Sequence, residues 1–151
     1  MIRNVGSDTM QDIRIEHLTF SDYEEVFSFW NSCDDLHMHH DYSETPEGFF
    51  KFLQHNSGLC FVARVGDKLV GAVLGSHDGR RGFINHMAVS KEFRKKGVGR
   101  ILVNSVIESL KSVGIRKVLI FVLKSRPEAQ AFWKNMGFTR EDIVDPHSLV
   151  I

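Results

Sequence analysis

Apolar positions along this chain switch between a helical and an alternating period, and the switches mark its elements. Tyr23, Val26, Phe27 and Trp30 follow the i, i+3, i+4, i+7 spacing that lines one face of a helix. Ser21-Asp22-Tyr23-Glu24 reads as the capping box that starts it, and its apolar face reads as core packing. Thr45-Pro46 supplies an N-cap and a proline at the first position of a second helix. Phe49, Phe52 and Leu53 line that helix, and Asn56-Ser57-Gly58 ends it. A third helix is predicted from Val98 to about Val113, burying Val103, Val106, Ile107 and Leu110 and stopping at Gly114. Ser125-Arg126-Pro127-Glu128 reads as another capping box. It opens a fourth helix with Ala129, Phe132, Trp133 and Met136 on one face and Gly137 at its C′ position.

Between the helices the runs are β-like. Ile13, Ile15 and the nearby Leu18 suggest a first strand. Leu59 to Val65 and Lys68 to His77 read as two strands around a Gly66-Asp67 hairpin turn. Asp78-Gly79-Arg80-Arg81-Gly82 turns the chain again into Phe83 to Val89, which completes an antiparallel meander. Lys117 to Leu123 is a further strand. Ile143 to Val144 and His147 to Ile151 supply two terminal ones around Asp145-Pro146. The order β-α-α-β-β-β-α-β-α-β-β predicts an α/β (α+β) chain with a mixed sheet and helices on both of its faces.

Composition narrows the class without naming it. A length of 151 residues fits one domain with a sizeable core, expected over 13–151. Residues 1–12 are polar and Gly/Ser-containing, and a flexible N-terminus is expected there. Lys plus Arg equals Asp plus Glu at 19 each, so no global basic footprint points to nucleic acid. Cys33 and Cys60 stand alone and read as reduced intracellular thiols. No apolar run is long enough to span a membrane, and Met1 to Gln11 lacks the apolar core of a signal peptide. A cytoplasmic protein without membrane partners is therefore expected; a homodimer stays open.

The most informative stretch is Asn85 to Arg100, NHMAVSKEFRKKGVGR. A strand here feeds a basic, glycine-spaced turn at the start of a helix. The unpaired N–H groups of a first helical turn, together with the helix dipole, suit phosphate. The turn lacks the Lys-Ser/Thr pair of a Walker A loop. Leu102 stands where a dinucleotide fingerprint needs its third glycine.

Arg94-Lys95-Lys96-Gly97-Val98-Gly99 resembles the R/Q-x-x-G-x-G/A signature of the GNAT superfamily of N-acetyltransferases, whose loop binds the pyrophosphate of acetyl-CoA. Downstream, Ala129, Phe132-Trp133 and Gly137-Phe138 resemble that family's second motif, A-x-x-F-Y-x-x-x-G-F. The resemblance covers roughly Leu59 to Phe138, about half of the chain. It implies a mostly antiparallel sheet in which the strands before and after the phosphate-turn helix splay apart around acetyl-CoA. It also implies an acetyl-CoA-dependent N-acetyltransferase acting on a primary amine: a small molecule, a lysine side chain or a protein N-terminus. The backbone of Met87, Ala88 and Val89 is then expected against the pantetheine arm. Arg94, Lys95, Lys96, Gly97, Val98 and Gly99 would supply N–H groups to the pyrophosphate. Lys95, Lys96 and Arg100 would add charge, for the 3′-phosphate. Arg126, where many members carry Asn, and Trp133, where many carry a Tyr acid, are expected beside the same ligand.

The proton-transfer groups depart from the family's habits. Trp133 is a hydrogen-bond donor but not a useful acid, and the two strand positions where members place a Glu base are Phe83 and Phe121. His86, on the cleft strand, is the candidate base, because histidine is the residue type suited to proton transfer near neutrality. The cluster His37-Met38-His39-His40-Asp41 lacks a second spaced ligand pair, so no metal is expected. It reads as an acceptor-side loop, with Trp30, Asp34 or Asp35 attracting the amine's charge. The missing acid and base raise one alternative, a non-catalytic acyl-CoA-binding sensor module. Nucleic-acid binding through the 94–100 patch is disfavoured by the neutral charge and few matched aromatics.

Overall fold

The computed structural model describes residues 12–34 and 36–151. Strands β1 (Ile13–His17), β2 (Phe61–Val65), β3 (Lys68–His77), β4 (Gly82–Val89) and β5 (Val118–Ile120) form one sheet in that order. The first four pair antiparallel in succession, and β5 joins β4 in parallel. Helices α1 (Tyr23–Asn31) and α2 (Pro46–His55) precede β2; α3 (Val98–Ser112) makes the β4–β5 crossover, and α4 (Pro127–Asn135) follows β5. A parallel pair needs such a crossover, whereas the antiparallel strands are joined by tight turns.

Every residue from Leu69 to Gly75 is buried, as expected of a strand covered on both faces. One face packs on α3 through Val98, Leu102, Val103, Val106 and Leu110, with Phe132 and Trp133 of α4 at its margin. The other packs on Val26 and Trp30 of α1 and Phe49 of α2. Helix α3 rides close to the sheet because Gly71 and Gly75 lie beneath it. A Cβ at Gly75 would stand 2.5 Å from Val106 Cγ1 and 2.4 Å from the Leu59 carbonyl oxygen. The mixed, mostly antiparallel sheet with helices on both faces is the architecture the resemblance implied.

Several expected boundaries move. The terminal strands over Ile143–Val144 and His147–Ile151 do not form. These residues lie exposed, Ile143 at 90% and Leu149 at 85%. Two residues ahead of a proline make too short a ladder, and Pro146 has no N–H to donate. The predicted strand Lys117–Leu123 shrinks to Val118–Ile120, because β4 stops pairing with it after Ile84↔Ile120.

Both expected capping boxes also differ. Thr19, not Ser21, is the reciprocal partner: its N–H donates to Asp22 Oδ2 at 2.9 Å across a 3-10 turn, Phe20–Asp22, that leads into α1. Helix α4 starts after Arg126 with no side-chain cap; Pro127, which lacks an N–H, lessens the need for one. The expectation of a flexible 1–12 segment falls, apart from Asp12, outside the described residues. No helix among the described residues is long and apolar enough to cross a membrane.

Candidate active site

The loss of β4–β5 pairing opens a cleft of about 1000 Å³ between the two strands. Its origin is a bulge in β4. Ala72 pairs with Ala88 and Leu74 with Asn85, so three steps of β4 oppose two of β3. His86 occupies the bulge with φ +50°, the left-handed region that is uncommon for a side-chain-bearing residue. Beyond Ile84 the β4 edge toward β5 has no strand partner among the described residues. Backbone groups there stand outside the β4–β5 ladder, the condition under which an added strand could pair with them.

At one end of the cleft lies the start of α3. Gly97 at φ +86° and Lys95 at φ +58° fold the basic turn, with no side-chain cap and no acid in the first helical turn. The intrahelical ladder begins with Ile101 N–H donating to the Gly97 carbonyl at 3.1 Å. The amides of Val98, Gly99 and Arg100 therefore precede the ladder, which is the anion-binding condition. Gly99 matters for its missing side chain: a Cβ would sit 3.2 Å from the Phe132 ring and 3.4 Å from Met87 Cε.

The predicted donor-side residues divide. Met87, Ala88, Val89, Arg94, Lys95, Gly99, Arg126 and Trp133 all line the cleft. Lys96, Gly97, Val98 and Arg100 do not. Lys96 Nζ lies 5.5 Å from the centre of the Phe93 ring, on a cation–π contact, and Val98 sends its side chain wholly into the core. Arg94 has a further task, since its Nε donates to the Val89 carbonyl at 3.0 Å. Trp133 is packed edge-on between Phe132 and Phe138. Arg126 donates to the Asp34 main-chain carbonyl, and Lys91 Nζ reaches the Asp34 carboxylate at 3.5 Å. The loop after α1 is thus tied both to the end of β4 and to the start of α4.

His86 faces the other side of the sheet from Met87. Its ring lies edge-on to Trp30, with centroids 5.0 Å apart. Its Nε2 lies 2.9 Å from Glu44 Oε1. Glu44 sits in a 3-10 turn, Tyr42–Glu44, ahead of α2. Sequence reasoning missed it, because a lone acid in a polar loop carries no periodicity or motif signal. Trp30, expected among groups attracting an amine, is fully buried behind His86 and serves the core. His37 and His39 line the cleft with rings 4.9 Å apart, whereas His40 does not. Asp35 lies outside the described residues. Among the described residues no three His, Cys, Asp or Glu side chains are grouped to hold a metal ion. Cys60 is a core thiol: burial pushes its pKa up to about 11, so it stays protonated and unreactive.

A mixed sheet parted between two parallel strands, with a glycine-bounded helix N-terminus at the parting, defines an acetyltransferase of the GNAT type. Residues 19–138 match the Acetyltransferase (GNAT) family, and the chain belongs to that family. Among solved structures it is similar to Ard1 from Thermoplasma volcanium, with a TM-score of 0.73 and 22% identity over 85% of this chain and 83% of that one. It is similar to the aminoglycoside acetyltransferase meta-AAC0020 from an uncultured soil metagenomic sample, solved with sisomicin. There the TM-score is 0.69 at 19% identity, covering 94% of this chain and 98% of that one. It is also similar to Arabidopsis thaliana Naa50 in complex with the bisubstrate analogue CoA-Ac-MVNAL. There the TM-score is 0.68 at 16% identity, over 87% and 85% of the two chains.

Proposed function

We propose that this chain is an N-acetyltransferase that moves an acetyl group from acetyl-CoA directly to a primary amine. One observation carries the reading: a single cleft joins the α3 N-terminus, the unpaired edge of β4 and His86. Acetyl-CoA is the co-substrate, and the residues fit it. Open amides and Lys95 suit a pyrophosphate, and free strand-edge groups suit the two amides of a pantetheine arm. The relatives point the same way, one solved with a CoA-peptide conjugate and one with an aminoglycoside.

Acetyl-CoA supplies an acyl carbon activated as a thioester. The residues of this chain orient it and manage one proton. Met87 to Val89 align the acyl arm along β4. His86 takes a proton from the attacking amine. The amine nitrogen then bonds to the acyl carbon, the carbon–sulfur bond breaks, and its electron pair leaves on sulfur. His86 returns its proton to that sulfur directly or through water, which dispenses with the tyrosine that Trp133 replaces.

The test is an acetylation screen over polyamines, amino acids, aminoglycosides and N-terminal peptides, following CoA release and acetylated product. The reading expects steady turnover on one of these classes and a marked loss of kcat in His86→Gln. Tight acetyl-CoA binding with no turnover on any amine would replace it with the sensor reading.

A further inference from the structure

We propose that Glu44 is a positioning residue for proton transfer: it holds the Nε2–H of His86 so that Nδ1 is the nitrogen that accepts the amine's proton. The inference rests on the acetyl-transfer reading for its purpose, but its geometry stands by itself. A carboxylate oxygen only accepts hydrogen bonds, so the proton between Glu44 Oε1 and His86 Nε2, 2.9 Å apart, belongs to the imidazole. That fixes the neutral tautomer and leaves Nδ1 with its lone pair. Nδ1 is absent from the sealed, unpartnered polar atoms, whereas Glu44 Oε2 and Trp30 Nε1 are among them. The working nitrogen is therefore open on a residue that lines the cleft.

The surroundings hold this pair rigidly. Its side chains keep only 19% and 13% of their exposure, so the charge of Glu44 acts through little water. Trp30, fully buried, walls the imidazole from below. The Glu44 main-chain carbonyl accepts from Tyr23 Oη at 2.9 Å. The turn carrying Glu44 is capped by Asp41, which accepts from Ser43 N–H at 2.8 Å. On the other side, the β4 bulge keeps His86 at a left-handed φ that the chain would otherwise avoid. Backbone strain of this kind persists where the surrounding structure over-determines a position, and it concentrates at functional sites. Glu44 also leaves one oxygen buried and unpaired, an arrangement a purely structural ion pair would be expected to satisfy. A carboxylate hydrogen-bonded to the far ring nitrogen orients the imidazole, the role an orienting carboxylate has behind a histidine base.

Two measurements test this. In ¹⁵N-labelled protein, the ring correlations of neutral His86 should show the Nε2–H tautomer, and Glu44→Ala should convert it to a mixture. Glu44→Gln preserves side-chain volume and a hydrogen-bond acceptor but removes the charge. It should lower kcat by about tenfold to a hundredfold while KM for acetyl-CoA stays within about twofold. An Nδ1–H tautomer in the unmodified protein overturns the proposal, and so does a Glu44→Gln variant that keeps its kcat. If no amine is turned over, the acetyl-transfer reading fails while the tautomer experiment still decides what Glu44 does to His86, so the two failures are distinguishable.

Discussion

Arg94 Nε donates to the carbonyl of Val89 at 3.0 Å, tying the basic turn back to the last residue of the cleft strand. The contact is part-buried and involves a charged donor, the stronger class of hydrogen bond. It braces the turn against the end of β4, just ahead of the open amides of α3. Arg94→Ala is expected to weaken acetyl-CoA binding by about tenfold, or about 1.4 kcal/mol, measured by calorimetric titration. Arg94→Lys should recover only part of it, because an ammonium lacks the planar fork. Unchanged affinity in the alanine variant would remove Arg94 from the site.

Gly99 is the sharpest probe of the proposed phosphate turn. Its Cβ position is hemmed by Phe132 and Met87, and its amide belongs to the open first turn of α3. Gly99→Glu places both bulk and negative charge where a pyrophosphate would lie, and binding of acetyl-CoA should be abolished. Circular dichroism and a thermal melt on the same sample establish that the variant is folded. A folded variant with normal affinity would mean that the anion sits elsewhere.

Gly75 concerns the fold rather than the ligand. An added methyl would meet the Leu59 carbonyl oxygen and Val106 Cγ1 well inside contact distance. Backbone cannot yield as a side-chain tip can, so α3 must lift from β3. Gly75→Ala is expected to cost about 1–3 kcal/mol in urea unfolding, the usual range for overpacking. A variant as stable as the parent would show that α3 has slack on the sheet.

Acid should loosen the β3–β4 turn through Asp78. Its carboxylate accepts from the Arg81 N–H at 2.7 Å and the Arg80 N–H at 2.8 Å. These bonds, the Arg81 one foremost, hold its pKa below the ordinary aspartate value. A depressed folded pKa gives stabilisation that is full above the unfolded value of about 3.9 and fades as pH falls through the folded one. Asp78→Ala should therefore melt below the parent at pH 7, and the gap should narrow under acid conditions below about pH 4. A gap that persists unchanged in acid would assign the effect to turn geometry rather than to the carboxylate's charge.

Residue pattern alone determined the helices, the meander and the glycine-spaced basic turn ahead of α3, because each depends on neighbours within a few positions. Val103, Val106 and Leu110 recur at helical spacing whatever the rest of the chain does. Gly97, at φ +86°, and the basic residues beside it mark a tight turn whose form is legible locally. Tertiary structure decided the remainder. Alternation along β4 gives no sign of the bulge at His86, since a bulge is defined by the partner strand's register. The end of β5 after Ile120 follows from that same loss of pairing. Exposed Ile143, Leu149 and Val150 look like strand residues in sequence yet find no ladder. Glu44 and His86, 42 positions apart, meet only because α1 and α2 fold over one face of the sheet. A pairing across that separation is set by packing, for which a linear pattern carries no signal.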